Sequence, residues 1–108
     1  MKINIKNLKK FRNYLISGKW KKVGGFDMSC IWNNYFNCGC VLGHAQRSDI
    51  FGITPEVGKI SSTLFSIHGG TLHSNLWEFL FSSFWYDYDN TVEGAVGRID
   101  AVIDGLRF

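Results

Sequence analysis

The chain has 108 residues, a hydrophobic fraction of 45% and an aromatic fraction of 16%, which exclude intrinsic disorder and fit one domain over residues 1–108. Its three cysteines are an odd number, which argues against a disulfide framework. No apolar run is long enough for a signal peptide or a bilayer span, so we expect a cytoplasmic protein.

The charge is distributed unevenly along the chain. Residues 1–22 carry eight basic side chains and no acidic one, whereas the remainder carries four basic and nine acidic side chains. A solvated helix face beside an acidic body would explain this pattern. The alternative is a patch for an anionic partner, either nucleic acid or an acidic protein surface.

The first predicted element is an amphipathic helix. Lysines fill one side of it, and the other side carries apolar residues at helical spacing, which are Ile5, Leu8, Phe11, Leu15 and Ile16. The helix is predicted to run from about Ile5 to Ser17, and Gly18 suits its C-terminal cap.

The next segment has the pattern of an extended chain. After a break at Gly24-Gly25, apolar side chains alternate with smaller or polar ones at Phe26, Met28, Cys30 and Trp32. This period predicts a short strand or an extended segment near residues 26–36, and the asparagines that follow indicate a loop.

Two short helices are predicted in the middle of the chain. The first covers Cys40 to Arg47. The second begins at Thr54-Pro55-Glu56, where threonine caps the helix, proline takes the first helical position and an acid follows in the first turn. This helix carries Val57, Ile60 and Leu64 on one face, and Gly69-Gly70 ends the unit.

A fourth helix is predicted from Leu76 to about Trp85. Asn75 followed by Glu78 resembles a capping box that would open it. The helix is apolar on almost every side, so it is either central to the fold or covered by a partner.

The last helix is predicted from a second capping pattern, Asn90 followed by Glu93. Its apolar stripe consists of Val92, Ala95, Val96, Ile99, Val102, Ile103 and Leu106. Gly94 and Gly97 lie inside this helix, where tight packing against a neighbour would explain them. Gly105 is the predicted stop.

Together these elements predict a mainly α protein. We expect a compact bundle of four or five helices with one short extended or β segment near residues 26–36. The sequence leaves open whether that segment pairs as a strand and whether a second copy covers the apolar helix to form a dimer.

Thiols and imidazole suggest one candidate metal site. Cys30, Cys38, Cys40 and His44 together would supply four zinc ligands. Only one residue separates the last two cysteines, which is poor geometry for a loop that wraps zinc. Small buried cysteines are common in protein cores, so we predict packing roles and no metal or other cofactor.

The same residues suggest a candidate nucleophile. Cys40 at a helix N-terminus, with His44 one turn later, has the spacing of a thiol and its general base. An enzyme also needs an orienting group and an oxyanion site, and the sequence shows no recognisable pattern for either. We therefore predict that the protein is not an enzyme.

Two segments are the candidate partner-binding sites. The basic one consists of Lys9, Lys10, Arg12, Lys21 and Lys22. The other lies at the end of a segment with seven aromatic residues between positions 77 and 88, and consists of Trp85, Tyr86, Asp87 and Tyr88. Tryptophan and tyrosine dominate the energetics of protein interfaces, so this patch suits a protein partner.

The order of several short motifs resembles a group of small proteins from bacterial and phage genomes. These motifs are Phe26-Asp27-Met28, Cys38-Gly39, Cys40-Val41-Leu42-Gly43-His44-Ala45, Leu80-Phe81 with Trp85, and Thr91 with Ala95 and Ile99. The likeness covers about residues 5 to 105. This chain departs from the group in spacing, because Cys40 follows Gly39 directly.

The resemblance implies a helical fold and a phage or mobile-element setting, with the host cytoplasm as its location. Compact phage proteins without catalytic motifs often occupy a surface of a host defence machine such as a CRISPR effector. The functional hypothesis is therefore an anti-CRISPR-like inhibitor that binds a bacterial defence complex. The alternatives are a nucleic-acid-binding accessory protein that uses the basic first helix and a small Cys/His metal-binding module.

Overall fold

The computed structural model describes residues 2–70 and 72–108, which form six α-helices and a small three-stranded sheet. The helices are α1 (Ile5–Ser17), α2 (Val41–Arg47), α3 (Ile60–Phe65), α4 (Ser74–Phe81), α5 (Trp85–Tyr88) and α6 (Val92–Ile103). The prediction of a mainly α protein with a short β segment is confirmed.

Helix α1 has the predicted bounds and the predicted C-terminal cap at Gly18. The Asn4 side chain accepts a hydrogen bond from the backbone N–H of Asn7 at 3.0 Å, which satisfies one free donor of the first turn. Gly18 ends the helix at φ 78°, a left-handed conformation that glycine adopts without strain. Its buried residues are Leu8, Phe11, Tyr14 and Leu15.

The extended segment is a sheet of three two-residue strands, β1 (Gly25–Phe26), β2 (Trp32–Asn33) and β3 (Cys38–Gly39). The central strand β3 pairs with β1 in parallel and with β2 in antiparallel orientation. Residues 26–36 therefore belong to two strands and the turns between them. The predicted loop after Trp32 supplies the central strand, which a period of two could not reveal in so short a run.

The two glycines of the Cys-Gly-Cys-Val-Leu-Gly-His motif bring the sheet against α2. A Cβ atom at either Gly39 or Gly43 would overlap the carbonyl oxygen of Ile31. Both positions therefore need glycine so that the backbone before β2 can approach the start of α2. This close approach gives the motif a packing role.

The start of the third helical unit differs from the prediction. Glu56 is extended, at φ −63° and ψ 150°, and a 3-10 turn at Val57–Lys59 precedes α3. The side-chain amide of Gln46 donates to the Pro55 carbonyl at 2.8 Å, so that carbonyl is engaged outside a helix. Thr54 is consequently not the cap, and Val57 is exposed.

The predicted helix from Leu76 to Trp85 is two helices. Asn75 lies inside α4 rather than at its cap, and α4 ends at Phe81 because Ser82 has extended dihedral angles. The Ser82 hydroxyl accepts a hydrogen bond from the N–H of Phe84 at 3.1 Å, a local bond that competes with helix continuation. Helix α5 then begins as a separate element at Trp85.

The cap of α6 lies one residue later than predicted. Thr91 accepts from the N–H of Gly94 at 2.9 Å, whereas the Asn90 side chain accepts from the N–H of Met28 at 2.6 Å and so ties the last helix to the sheet. Gly105 follows the helix at φ 117°, as its predicted stop requires.

The glycines within α6 lack the tight helix packing that the sequence suggested. Apart from its chain neighbours and the nearby backbone of α6 itself, a Cβ at Gly97 would have no described atom within 4 Å. A Cβ at Gly94 would meet the Asp89 side chain, which belongs to the preceding turn and not to a neighbouring helix.

The core lies where α1, α3, α4 and α6 pack together with α2. Phe11 and Phe65 are fully buried at its centre, with ring centroids 5.9 Å apart. Arg12 on α1 donates to Asp100 on α6 at 2.6 Å, which joins the two longest helices. None of the described helices has the length and apolarity needed to cross a membrane.

Candidate functional site

His44 lies at the centre of an aromatic cage beside the sheet. The imidazole is fully buried, and the rings of Trp20, Phe26 and Trp32 surround it at centroid distances of 5.6, 5.9 and 5.2 Å. Its Nε2 is 2.6 Å from the carbonyl oxygen of Gly25. Because a carbonyl can only accept, Nε2 carries the proton.

The cage favours a neutral imidazole. Burial lowers the pKa of His44, and the charge of Arg47 acts in the same direction, against the opposite effect of the Gly25 hydrogen bond. The buried Nδ1 has no hydrogen-bond partner within residues 2–70 and 72–108. With Nε2 engaged by the backbone, His44 helps to hold β1 against α2.

The candidate metal ligands do not form a metal site in the described part of the chain. No three His, Cys, Asp or Glu side chains there are arranged to hold an ion. Cys30, Cys38 and Cys40 are free thiols. Burial raises the pKa of the Cys40 thiol, despite nearby backbone N–H groups at the start of α2, so the geometry does not favour a reactive thiolate.

The predicted basic residues are of two kinds, which are four exposed lysines and Arg12. Lys9 and Lys10 are exposed on α1, and Lys21 and Lys22 are exposed on the 3-10 turn after it. None of these four lysines has a carboxylate oxygen within 4.0 Å among the described residues. Arg12 is different, because its ion pair with Asp100 makes it part of the fold.

Two residues of the predicted aromatic patch, Trp85 and Tyr88, belong to a larger feature, which we call the aromatic surface and which consists of Phe79, Phe84, Trp85, Tyr88 and Phe108. Phe84 is 54% and Tyr88 70% exposed, and their rings stack at a centroid distance of 4.3 Å and an angle of 13°. Trp85 contacts Phe84 on one side and Phe79 on the other, and Phe79 contacts Phe108.

A depression of about 480 Å³ opens in this surface. It is lined by Asn75, Glu78, Phe79, Ser82, Phe84, Trp85 and Phe108. Glu78 is the charged residue of the lining, and Asp87 precedes Tyr88 in α5. Two cations also lie close by, since the buried Arg98 contacts Trp85 and Arg107 precedes Phe108. The depression is thus apolar in the middle, with one carboxylate in its lining.

Trp85 is fixed in place from two directions. Its indole N–H donates to the Phe79 carbonyl at 2.8 Å, and the guanidinium of Arg98 lies 4.2 Å from its ring centroid. Arg98 is buried and its Nη1 is 3.6 Å from an Asp89 oxygen. Such a preorganised ring loses little freedom when a partner contacts it.

The three aromatic residues predicted to form one patch differ in exposure. Trp85 is half-buried, whereas Tyr86 and Tyr88 are exposed. Phe84 was not among the predicted contacts, although its spacing of four residues from Tyr88 places both rings on one helical side. Phe79 and Phe108 join the surface only through the tertiary structure.

A second aromatic feature was missed altogether. Tyr35 and Phe36 are 88% and 71% exposed at the turn between β2 and β3, with ring centroids 4.8 Å apart. The signal was present in the sequence, because two aromatic residues stand among asparagines in a segment predicted as loop. Loops lie at the surface, so aromatic side chains in one are candidates for binding.

Comparison with known proteins found no matching family model, no matching curated protein and no matching solved structure.

Proposed function

We propose that the protein binds another protein through the aromatic surface and acts by stoichiometric contact. The observation that carries this proposal is the exposed Phe84–Tyr88 stack beside a depression walled by the anchored Trp85. Monomeric proteins rarely leave contiguous apolar area uncovered without a use for it. Aromatic side chains at the centre of an interface contribute most of its binding energy.

The lining of the depression supports a partner of one kind. An apolar or aromatic side chain would fill the depression, and lysine or arginine residues around it would face Glu78 and Asp87. The bacterial defence complex as the partner, and inhibition of that complex as the outcome, rest on the sequence resemblance to phage proteins.

The test uses the double variant Phe84→Ala/Tyr88→Ala. Both side chains are exposed, so their removal leaves the fold intact, and partner affinity is expected to fall at least about tenfold because two ring contacts are lost. Ile53→Ala is the matched control, since it removes an exposed apolar side chain that does not line the depression.

The measurement is capture of the tagged protein's partner from nuclease-treated host lysate, followed by titration of the purified complex. The proposal stands if a partner is captured in stoichiometric amount by wild type and Ile53→Ala but lost with the double variant. Equal capture by all three proteins would refute it. Restored plaque formation on a host that carries the captured defence complex would establish inhibition.

A further inference from the structure

The turn between β2 and β3 presents two aromatic rings on a fixed backbone. The Asn33 side chain accepts hydrogen bonds from the N–H groups of Tyr35 at 2.9 Å and Phe36 at 3.1 Å. Asn37 closes the turn with φ 52°, a left-handed conformation that asparagine tolerates. A turn held in this way presents its rings at low entropic cost to binding.

The same turn lies against the end of the basic segment. Asn37 forms two hydrogen bonds with the backbone that follows the basic segment. Its carbonyl accepts from the N–H of Gly25 at 2.9 Å, and its side chain donates to the Val23 carbonyl at 3.4 Å. Lys21 and Lys22 directly precede Val23. The two exposed rings and Lys22 therefore stand on adjoining stretches of backbone. The Lys21 ammonium lies instead 5.8 Å from the ring centroid of Trp20, and Lys21 lines a different depression with Glu93.

A second cation belongs to this end of the molecule. The Arg47 guanidinium lies 4.4 Å from the ring centroid of Trp32. Both residues line an open depression of about 520 Å³ together with Val23 and Asn37. Asp49 is the acidic residue of that lining, so Arg47 and the exposed Lys22 are the cations on this side of the molecule. Arg47 forms no ion pair within the described residues.

We propose that Tyr35 and Phe36, together with Lys22 and Arg47, form a binding platform for single-stranded nucleic acid. Exposed rings stack on unpaired bases of any sequence, and lysine and arginine neutralise the phosphates between them. The rings are inclined at 82° to each other, so they offer faces in two directions. Asn33, Asn34 and Asn37 supply amide groups that can bond base edges.

The chemistry of the turn separates this platform from the aromatic surface. The turn has Lys22 and Arg47 near it and asparagines around its rings, whereas the charged residue that lines the depression of the aromatic surface is Glu78. A positive edge suits a polyanion, and a duplex hides its base faces, so the rings select single strands. The platform is a second activity, independent of the proposed protein contact.

The test measures fluorescence anisotropy of labelled oligothymidylate and oligouridylate of about 12 nucleotides against the full chain. Wild type is expected to bind either strand at low salt and to lose affinity steeply between about 50 and 200 mM salt. Tyr35→Ala/Phe36→Ala should weaken binding about tenfold or more. Tyr35→Trp should preserve it, because the larger ring keeps the stacking face.

Three variants locate the bound strand on the molecule. Phe84→Ala/Tyr88→Ala should leave oligonucleotide binding unchanged, and Tyr35→Ala/Phe36→Ala should leave protein capture through the aromatic surface unchanged. Lys22→Glu should weaken oligonucleotide binding and reduce its dependence on salt. Circular dichroism and the melting temperature establish that each variant is folded.

Three results would overturn the proposal. They are no binding by wild type at low salt, equal binding by Tyr35→Ala/Phe36→Ala, and equal affinity for a duplex of the same length. Loss of a captured protein on changing Tyr35 and Phe36, without any oligonucleotide binding by wild type, would assign the turn to a protein interface instead.

Discussion

At the scale of single residues, His44 shows how burial decides the chemistry of a side chain. Its Nε2 proton is engaged by the Gly25 carbonyl and its ring is enclosed by Trp20, Phe26 and Trp32. Burial lowers the pKa of the imidazole and keeps it neutral. A residue that the sequence offered as a metal ligand or general base therefore acts as a packed polar group.

The lowered pKa of His44 predicts a pH-dependent stability. Its folded-state pKa lies below the ordinary value of 6.5, so the unfolded chain takes up the proton first as the pH falls. The free energy of unfolding should then decrease below about pH 6.5, by at most about 1.4 kcal/mol per pH unit from this group. Urea unfolding of wild type and His44→Gln at about pH 7.5 and pH 5.5 measures the effect.

The difference in stability between the two proteins should narrow at the lower pH, because only wild type loses the contribution of His44. His73→Gln is the control. Burial also lowers the pKa of His73, but this variant retains His44, so it should still lose the stability that His44 contributes when the pH falls. A difference that is the same at both pH values would contradict the assignment.

At the scale of elements, two glycines inside helices show the difference between a packing constraint and low helix propensity. Gly43 lies inside α2, where a Cβ would overlap the Ile31 carbonyl oxygen, whereas Gly97 lies inside α6 with open space around it. The same substitution should therefore have opposite effects in the two helices.

We expect Gly43→Ala to lower the free energy of unfolding by about 3 kcal/mol or more, because the sheet must move away from α2. Gly97→Ala should raise it by about 1 kcal/mol, because alanine is the better helix former and meets nothing. Urea unfolding measures both. A neutral Gly43→Ala would show that the sheet does not press on α2, and a destabilising Gly97→Ala would reveal a contact at that face.

The helix boundaries show which local signals outweighed others. Gly18 and Gly105 end their helices as predicted, because each supplies a left-handed residue that other side chains adopt reluctantly. The two predicted asparagine caps are wrong. Asn75 lies within α4 and Asn90 bonds Met28 across the molecule, so in the second case a partner far along the chain overrode the local pattern.

At the scale of the whole molecule, ion pairs join elements whose charges the sequence had separated. Arg12 pairs with Asp100 and thereby links the basic first helix to the last one. Arg98 faces Asp89 and stacks on Trp85, which links α6 to α5 and supports the aromatic surface. The exposed Lys9, Lys10, Lys21 and Lys22 form no ion pair within the described residues.

The buried Arg98 predicts a difference between two substitutions. Its Nε and Nη2 have no hydrogen-bond partner in the described part of the chain, so the charge is poorly compensated. Arg98→Met, which keeps the volume and removes the charge, should be neutral or stabilise the fold. Asp89→Asn should cost about 1–3 kcal/mol, because it leaves the cation without its counterion while preserving the bond from Thr91.

Urea unfolding at two salt concentrations measures the free energy of unfolding of these two variants, since a charge effect weakens when salt screens it. If Arg98→Met destabilised the protein more than Asp89→Asn, the stacking of the guanidinium on Trp85 would outweigh the cost of its burial. Partner capture by Arg98→Met then reports whether that stacking also positions Trp85 for binding.

The sequence by itself determined the mainly α class, the bounds of α1 and the stop after α6, because helical periodicity and glycine caps act within one or two turns. It also predicted exposed aromatic residues near position 86. Only the tertiary structure decided that Phe79 and Phe108 join that surface, that His44 is caged and that the turn with Tyr35 and Phe36 bonds the backbone next to Lys22. These outcomes depend on which distant backbone segments meet, such as Ile31 against Gly43, and no local pattern encodes that contact.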